Sequence, residues 1–288
     1  MQFTEKHNYY IDKAKHLLIK PLPKDKINFI VIVSTGRTGT KFLADYYNHY
    51  AQNILAKHEP FPPVAYLNAD FFKNRISFDQ AEKTYLNKRK HIQKILHSKG
   101  INNYLESNSG LAFLLPIIKK QFPRYKIVHI IRDGRDWIRS VYSRKLQNDG
   151  TPTLNKRGEV WKFTAKDIND QYANNWDNMN MIEQLSWMWK VRNEFILNYI
   201  RDDERAISIR FEDIFNPDDN YKIFDKLIHF INDDTNIKLN LEDPLIPVKK
   251  KINKTNKFLL PPYMEWNESD KESFNNIAGD LMEEYNYF

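Results

Sequence analysis

Short apolar, β-branched runs alternate with longer amphipathic segments along most of the chain. The apolar runs predict strands at 27–34, 54–57, 103–107, 126–131 and 205–210. The amphipathic segments predict helices at 40–50, 65–74, 79–99, 110–122, 135–145 and 171–200. Strands that alternate with helices are joined by crossover connections, which leave the strands parallel. The pattern therefore predicts an α/β fold, in which one central, mainly parallel sheet is flanked by helices.

We expect residues 1–288 to form a single domain, with three segments outside that alternation. Residues 1–26 predict an N-terminal helical extension, with a helix at about 8–19. Residues 145–204 combine a polar, glycine-containing stretch with a long helix, and we expect this insertion to cover the substrate side of the molecule. Near the C-terminus the sequence SDKE, 269–272, predicts a capping box that begins the last helix.

Composition narrows the class of protein. A hydrophobic fraction of 41% supports a buried core, and the absence of cysteine excludes disulfides and thiolate chemistry. No apolar run reaches the roughly 20 residues that a membrane span needs, and the N-terminus lacks a signal-peptide core, so we expect a cytoplasmic protein. The eight histidines show no metal-ligand spacing, so we expect no metal. The net charge of +7 suits a polyanionic ligand or serves solubility alone.

The stretch STGRTGTKF, residues 34–42, follows the first predicted strand and begins a helix. A glycine-bearing turn at a helix N-terminus presents unpaired N–H groups to an anion, although such turns are also ordinary in α/β proteins. The triphosphate loop of kinases needs four residues between its glycines, whereas Gly36 and Gly39 are separated by two. Phe42 also replaces the Ser or Thr that should follow Lys41 and bind Mg²⁺. The loop therefore predicts a metal-free anion site.

A second basic turn, RDGRDWIRS at 132–140, again follows a buried strand and begins a helix. Arg132 at the strand end points toward the crevice where open α/β sheets bind ligands, and its guanidinium suits a phosphate. Ser140 on the following helix can reach the same group. Arg135 and Asp136 are better explained as scaffold ion pairs. Two strand-end anion sites indicate a ligand with two separate phosphate-type groups.

Together these two segments resemble the family of PAPS-dependent sulfotransferases, whose donor is 3′-phosphoadenosine 5′-phosphosulfate. GRTGTKF at 36–42 resembles the family's 5′-phosphosulfate loop, and RDGRDWIRS resembles its 3′-phosphate segment. IRFEDIF at 209–215 and the C-terminal helix also match the family's pattern. The likeness covers roughly residues 27–288 and is weakest at 145–204. The resemblance implies a P-loop-NTPase-like sulfotransferase fold and metal-free transfer of a sulfonate group from PAPS to an acceptor hydroxyl, releasing adenosine 3′,5′-bisphosphate (PAP).

The resemblance also implies roles for individual residues. The first loop would hold the 5′-phosphosulfate through Thr38, Gly39, Thr40, Lys41 and Phe42. Arg37 would neutralise the departing bridging oxygen, and Arg132 with Ser140 would bind the 3′-phosphate. The family's C-terminal R-K-G-x-x-G-D-W loop is absent, and the basic run 248–257 stands in its place. Lys251 or Lys254 in that run is the expected further contact to the 3′-phosphate, unless the run is only a solvated charge cluster.

The general base is expected on the acceptor side of the site. Many cytosolic members use a histidine in a K-T-H segment, which the corresponding stretch 106–116 lacks. Carbohydrate and protein-tyrosine members use a glutamate about 20 residues after the loop, and Glu59 in KHEPFPP takes that place, with His58 as the second candidate. Glu106 and Ser107 are weaker candidates to line the acceptor side. This class favours a sugar, glycan or small-molecule hydroxyl as acceptor.

Two other functions remain open at this stage. A degenerate triphosphate-loop kinase would explain the first basic turn, but the missing Mg²⁺ hydroxyl and the pairing of Arg132 with Ser140 count against it. A basic nucleic-acid-binding protein would explain the charge, but it predicts cations clustered on an exposed face rather than at strand ends. We therefore expect no nucleic-acid partner. The aromatic-rich stretch 161–190 is an acceptor platform or, more simply for Trp187 and Trp189, part of the core.

Overall fold

The computed structural model describes residues 2–146, 151–219, 221–245 and 259–288. The strands in these ranges are β1 Asn28–Ser34, β2 Ala51–Gln52, β3 Ile54–His58, β4 Asn103–Ser107, β5 Arg124–Ile131, β6 Ala206–Arg210 and β7 Lys238–Leu239. Five of them form a sheet in the order β3-β4-β1-β5-β6, with all neighbours parallel. The short β2 and β7 pair antiparallel. The predicted α/β fold with a central parallel sheet is confirmed.

Helices cover both faces of this sheet. They are α1 Gln2–Lys15, α2 Thr40–Tyr50, α3 Ala65–Phe72, α4 Phe78–Lys99, α5 Leu115–Gln121, α6 Gly134–Lys145, α7 Met181–Ile200, α8 Phe211–Ile214, α9 Lys222–Asn232 and the C-terminal helix Glu268–Glu284. A 3₁₀ turn, Ser109–Leu114, precedes α5. Among the described helices, none is long and apolar enough to cross a membrane.

Strand β1 lies at the centre of the sheet and separates two cores. Its alternate residues Phe29, Val31 and Val33 belong to a core that includes α4, α5, α7 and the C-terminal helix. Ile30 and Ile32 point the other way, into a core with α2 and α9. A parallel strand covered by helices on both faces has to be apolar on both, as the run NFIVIV is. The carboxyl ends of all five strands consequently meet at one edge of the sheet, where ligands bind in open α/β folds.

The ends of the helices show which capping residues can be predicted from the local sequence. Ser77 forms the capping box that starts α4, and Gly100 adopts the left-handed conformation that ends it. The predicted capping box at 269–272 is wrong, because Asn267 caps the C-terminal helix instead, accepting a hydrogen bond from the N–H of Asp270. Trp266, just before that cap, is buried against the ring of Phe274 and fixes where the chain enters the helix.

The predicted helix at 171–200 is shorter than expected, and so is the one at 110–122. Helix α7 begins only at Met181, because Asn180 caps it with bonds from the N–H groups of Ile182 and Glu183. The first helix lies at Gln2–Lys15, earlier than the predicted 8–19.

Trp187 and Trp189 are buried in the main core, which confirms their structural role.

Candidate active site

The loop after β1 wraps around the hydroxyl of Ser34. Ser34 Oγ accepts the N–H of Gly36 at 2.9 Å and the hydroxyl of Thr38 at 2.8 Å. Gly36 and Gly39 have φ of 83° and 67°, a region that favours glycine, and Arg37 between them has φ of 62°. Thr38 is fully buried, so its hydroxyl serves the loop.

Side chains from four other elements take the carbonyl groups of this loop. The donors belong to β4, α6, α7 and the turn after β5, so the loop is fixed from several sides. The bonds run from Arg192 to Thr35 O at 3.1 Å, Trp137 to Gly36 O at 3.0 Å, Arg132 to Arg37 O at 3.0 Å, and Ser107 to Thr40 O at 2.7 Å. With its carbonyls held by protein, the loop can direct N–H groups at an anion.

The two predicted basic turns meet at Arg37. Arg37 Nε donates to Ser140 Oγ at 2.9 Å, and Arg132 Nη1 donates to the Arg37 carbonyl. Ser140 is buried, which holds its hydroxyl at a fixed position. Burial and the nearby charges of Arg144 and Arg132 lower the pKa of Arg37. Several cations close together repel one another, and an anionic ligand relieves that repulsion.

Three buried polar side-chain atoms at this site have no hydrogen-bond partner among the described residues. They are Thr35 Oγ1, Arg132 Nε and Arg192 Nε, out of seven such atoms in the described part of the chain. Unmet buried donors cost free energy unless a ligand or water satisfies them. Their concentration around one loop is what a site for an anionic ligand requires.

The remaining residues of the loop segment have structural surroundings. Lys41 is exposed and forms an ion pair with Asp45 one helical turn later. Phe42 packs edge-on against Phe215, with ring centroids 5.4 Å apart. A Cβ at Gly39 would lie 3.1 Å from that same Phe215 ring, so glycine is needed there on steric grounds as well as for its φ. The ligand contacts predicted for Lys41 and Phe42 stay predictions.

Glu59 lies on the turn directly after β3, across from the loop. Its N–H donates to Ser107 O at 3.0 Å, and its exposed carboxylate accepts the hydroxyl of Ser109 at 3.2 Å. Ser109 is also the neighbour of Gly36, since a Cβ at Gly36 would lie 3.7 Å from Ser109 Oγ. The structure thus brings the predicted base and the predicted anion loop to the same edge of the sheet.

Arg37 and Glu59 both have strained backbone conformations. Eight non-glycine residues in the described ranges have positive φ, and five of them are Asn or Asp, which tolerate it best. The other three are Arg37, Glu59 and Tyr221, with φ of 62°, 45° and 58°. Strained residues cluster at functional sites because their geometry is imposed by the surroundings. Two of the three are the residues that the sequence proposes as catalytic.

His58, the second candidate for the base, faces the sheet more than the site. Its Nδ1 lies 3.1 Å from Ser107 O and its ring is partly buried. Glu59 on the exposed turn is therefore the better placed of the two. Ser107 donates its hydroxyl to Thr40 and is fully buried, so it supports the loop rather than lining an acceptor surface.

The expectation that Glu106 lines the acceptor side is wrong. Glu106 is fully buried, where Arg89 donates to both its carboxylate oxygens at 2.8 and 2.7 Å. Tyr104 and Asn108 donate to it at 2.7 and 2.8 Å. Burial alone would raise the pKa of Glu106, but Arg89 and these hydrogen bonds hold it below its ordinary value. The strand periodicity placed Glu106 correctly at a strand end, but a carboxylate this deep is a structural ion pair.

Arg89 connects this ion pair to the Glu59 turn. Its third donor, Nη1, binds the carbonyl of Pro62 at 2.8 Å, three residues after Glu59. Asn108, held by Glu106, accepts the N–H of Gly110 at 2.8 Å and so shapes the turn that carries Ser109. Sequence reasoning missed Arg89, because a single arginine within a long helix carries no local signal.

Arg135 confirms its expected scaffold role. It pairs with Asp133 at 2.6 Å and donates to Tyr287 O, while Asp136 pairs with Arg139 at 3.2 Å. Lys251 and Lys254 lie outside the described residues. In the described part of the chain, no group of three or more His, Cys, Asp or Glu side chains is placed to bind a metal.

Two cavities border the segment that follows α6. One of about 270 Å³ is lined by Arg37, Val141, Arg144, Lys145, Thr153 and Leu154. A larger one of about 630 Å³ has Trp161 and Trp176 in its lining and none of the predicted site residues. The smaller cavity is the relevant one, since it opens onto the residue where the two basic turns meet.

The segment 151–163 is fastened to helix α3. Arg157 binds both carboxylate oxygens of Asp70 on α3 at 2.8 Å, and its guanidinium lies 4.3 Å from the centre of the Tyr66 ring. Lys162 on the same segment has its Nζ 5.7 Å from that ring. The insertion thus approaches the Glu59 side of the site, and its role toward the acceptor stays a prediction.

No protein-family model and no curated protein match the sequence. Solved structures with a similar fold include the sulfotransferase domain of the curacin biosynthetic pathway, 15% identical, with a TM-score of 0.48, covering 91% of this chain and 98% of that one. A sulfotransferase from Alicyclobacillus acidocaldarius is 16% identical, with a TM-score of 0.47, covering 88% and 92%. Sulfotransferase STF1 from Mycobacterium tuberculosis H37Rv is 15% identical, with a TM-score of 0.47, covering 94% and 81%. All three are named as sulfotransferases.

Proposed function

We propose that this protein is a PAPS-dependent sulfotransferase that transfers a sulfonate group to the hydroxyl of a sugar, glycan or small molecule. The observation that carries the proposal is the meeting of two strand-end cation sites at Arg37, through Ser140 and Arg132. A ligand with one phosphate group needs one such site. A nucleotide with phosphate groups at both the 3′ and 5′ positions uses two.

The first loop suits the 5′-phosphosulfate. Its carbonyl groups are held by protein donors, and helix α2 begins at Thr40 directly behind it. Backbone N–H groups at a helix N-terminus then face the anion without any metal. Lys41 follows in the first turn of α2 and can leave its exposed partner Asp45 at little cost, since exposed ion pairs contribute little.

The second basic turn suits the 3′-phosphate. Arg132 keeps its Nε buried and without a partner in the described ranges, and both Arg132 and the buried Ser140 bind Arg37. A guanidinium bound to a phosphate oxygen satisfies such a donor and gains a charge-assisted hydrogen bond. The ring of Phe211, 5.2 Å from the Arg132 guanidinium, keeps the side chain over the site.

Glu59 would act as the general base. As the acceptor oxygen forms its bond to sulfur, the bond from sulfur to the bridging oxygen breaks, and Glu59 takes the proton of the acceptor hydroxyl. Arg37 would stabilise the negative charge that develops on the bridging oxygen. Ser109 holds the Glu59 carboxylate by its hydroxyl at 3.2 Å, which sets the direction from which the acceptor approaches.

Calorimetric titration with PAP in the presence of EDTA tests the proposal. We expect binding that is independent of Mg²⁺ and clearly tighter than binding of AMP, which lacks the 3′-phosphate. A kinase would instead bind ATP more tightly with Mg²⁺ than without it. Binding of ATP that requires Mg²⁺, with no binding of PAP, would overturn the proposal.

Transfer itself is measured with ³⁵S-labelled PAPS and a panel of hydroxyl acceptors. The expected result is PAP release together with a labelled product that depends on the acceptor. Nucleic-acid binding with a steep salt dependence, and without PAP binding, would favour the alternative function.

A further inference from the structure

Apolar side chains lie exposed along one face of α1 and the turn that follows it. Of the nine large hydrophobic residues that are exposed in the described part of the chain, four lie here, and Leu17 and Leu18 are 65% and 95% exposed. The other two are Tyr10 and Ile11, and the exposed Ala14 lies between the pairs. These five residues form what we term the N-terminal stripe. Their spacing of i, i+1, i+4, i+7 and i+8 is that of the apolar face of a helix, which normally packs against a partner.

The opposite face of the same segment is fixed to the protein. The Tyr9 ring lies edge-on to the His91 ring on α4, with ring centroids 4.7 Å apart. Beyond the end of α1, Lys94 on α4 donates to the carbonyl groups of His16 and Leu17 at 3.1 and 2.7 Å. Because the main chain is held from α4, the N-terminal stripe is a fixed surface that faces outward.

Lysines border the N-terminal stripe on both sides. With about 3.6 residues per turn, Lys6 and Lys13 lie along one border and Lys15 along the other. All three are exposed, as is Lys20 just beyond the stripe. Asp12 falls on the opposite side of the helix, where it is half-buried. An apolar face between two rows of cations is the pattern of a helix that lies in the interface of an anionic membrane.

We propose that the N-terminal stripe docks on the surface of an anionic lipid bilayer, with its apolar side chains in the interface and its lysines against the headgroups. Helix α1 has 14 residues, fewer than the roughly 20 that span a bilayer, so it lies on the membrane and does not cross it. Burial of Leu17 and Leu18 removes apolar surface from water, and the lysines add attraction to the acidic headgroups.

The charges disfavour two other occupants of this surface. A second copy of the chain would bring the same lysines together across a two-fold interface, where like charges repel. A nucleic acid would attract the lysines, but its phosphate groups give no reason for two exposed leucines. An anionic bilayer, with charged headgroups above an apolar interior, is complementary to both features.

Docking in this way brings the Glu59 turn near the bilayer. Phe61, two residues after Glu59, has its ring centroid 5.0 Å from that of Tyr9 and 6.3 Å from that of Tyr10. An acceptor hydroxyl at the membrane surface would then lie close to the proposed base. This consequence rests on the proposed function, whereas the docking itself does not.

Co-sedimentation of the full-length protein with lipid vesicles tests the proposal. One set of vesicles is phosphatidylcholine alone, and the other contains three parts phosphatidylcholine to one part phosphatidylglycerol. We expect binding to the anionic vesicles to be about tenfold or more tighter than binding to the neutral ones. That binding should weaken as salt is raised from about 0.1 M to about 0.5 M, because salt screens the lysines.

The leucines are tested by a double variant, Leu17→Ser with Leu18→Ser. We expect it to lower the affinity for anionic vesicles by about tenfold or more, since two apolar side chains no longer leave water on binding. Leu259→Ser is the matched control, because Leu259 is 57% exposed and lies outside the N-terminal stripe.

The lysines are tested by Lys13→Gln with Lys15→Gln. The preference for anionic over neutral vesicles should fall by about fivefold for each lysine. Lys222→Gln with Lys226→Gln, two exposed positions on α9, makes the same change in net charge and should leave the preference unchanged.

Absence of wild-type binding to the anionic vesicles, or equal binding by wild type and the leucine variant, would overturn the inference. A wild-type dimer in light scattering that the leucine variant lacks, without vesicle binding, would also overturn it and assign the surface to a second copy. An equal loss in the α9 control would reduce the effect to net charge and contradict the proposed docking face. None of these measurements involves the donor, so the proposed function is tested separately by PAP binding.

Discussion

The donor loop after β1 and the Glu59 turn after β3 lie at the same edge of the sheet, yet they are held in different ways. The donor loop is fixed by side chains that bind its carbonyl groups, and one of these anchors, Arg132, is also proposed to bind the donor. The Glu59 turn is fixed from beneath by the buried ion pair of Arg89 and Glu106. On the donor side Arg132 is both a support and a proposed ligand contact, whereas on the acceptor side the supports are separate from the proposed base.

This difference predicts which property, nucleotide affinity or stability, a substitution on each side should change. A donor-side change should alter nucleotide affinity, because the same side chain shapes the loop and binds the anion. An acceptor-side anchor should alter stability and the position of Glu59 but leave the donor site in place. Each variant below either confirms that separation or removes it.

The largest effect is expected at the base. Glu59→Gln keeps the shape of the turn but removes proton acceptance, so turnover should fall by about 10²- to 10⁴-fold while PAP affinity is unchanged. Glu272→Gln, an exposed change on the C-terminal helix, is the matched control. Full activity of the Glu59 variant in the ³⁵S assay would move the base to His58 or another group.

The buried acceptor-side anchor comes next. Arg89→Met leaves Glu106 buried without its partner and should lower the free energy of unfolding by about 3–5 kcal/mol. Urea denaturation measures the loss, with exposed Arg124→Met as control. At a temperature where the variant is folded, PAP affinity should stay within a few-fold of wild type. A parallel loss of PAP affinity would mean that the two sides are one unit.

Acid should destabilise the fold through two histidines, His129 on β5 and His91 on α4, before it protonates Glu106. Burial lowers the pKa of His129 on β5 to about 4, so the unfolded chain, with a pKa near 6.5, takes up a proton that the folded protein refuses. The stabilising contribution is complete above pH 6.5 and is lost as the pH falls, amounting to about 3 kcal/mol by pH 4. Glu106, whose pKa is held below normal, loses its contribution only at lower pH.

Equilibrium unfolding between pH 7 and pH 4 measures this dependence. His129→Gln should remove the share of this dependence that belongs to His129 and leave that of His91, whereas His49→Gln, on the surface of α2, should leave it unchanged. The same slope in wild type and the His129 variant would assign the acid sensitivity to other groups.

The smallest effect concerns a single loop anchor. Trp137→Phe keeps most of the buried ring but removes the hydrogen bond to the Gly36 carbonyl, 3.0 Å long. A bond of this kind contributes about 0.5–1.5 kcal/mol, so PAP affinity should fall by about two- to tenfold. Tyr142→Phe on the same helix is the control, and equal affinities for both variants would show that the loop needs no such anchor.

The same comparison explains how far the sequence predicts the structure. Strand runs and glycine positions predict the sheet and the donor loop, because those signals are local in the chain. The acceptor side depends on contacts between residues far apart, such as Arg89 with Glu106 and Arg192 with Thr35, which no short motif encodes. Glu106 was misread for this reason, since a carboxylate at a strand end looks alike in sequence whether it binds substrate or an internal arginine.

The most direct test of the central proposal compares two nucleotides on one variant. Arg132→Met is titrated with PAP and with AMP, which differ by the 3′-phosphate alone. Loss of a charge-assisted contact should weaken PAP binding by about 10- to 100-fold, whereas AMP binding should fall by no more than the two- to tenfold expected for the loss of one loop anchor. If the variant binds PAP as tightly as wild type does, or loses affinity for both nucleotides equally, the second cation site does not bind a 3′-phosphate and the proposed donor is wrong.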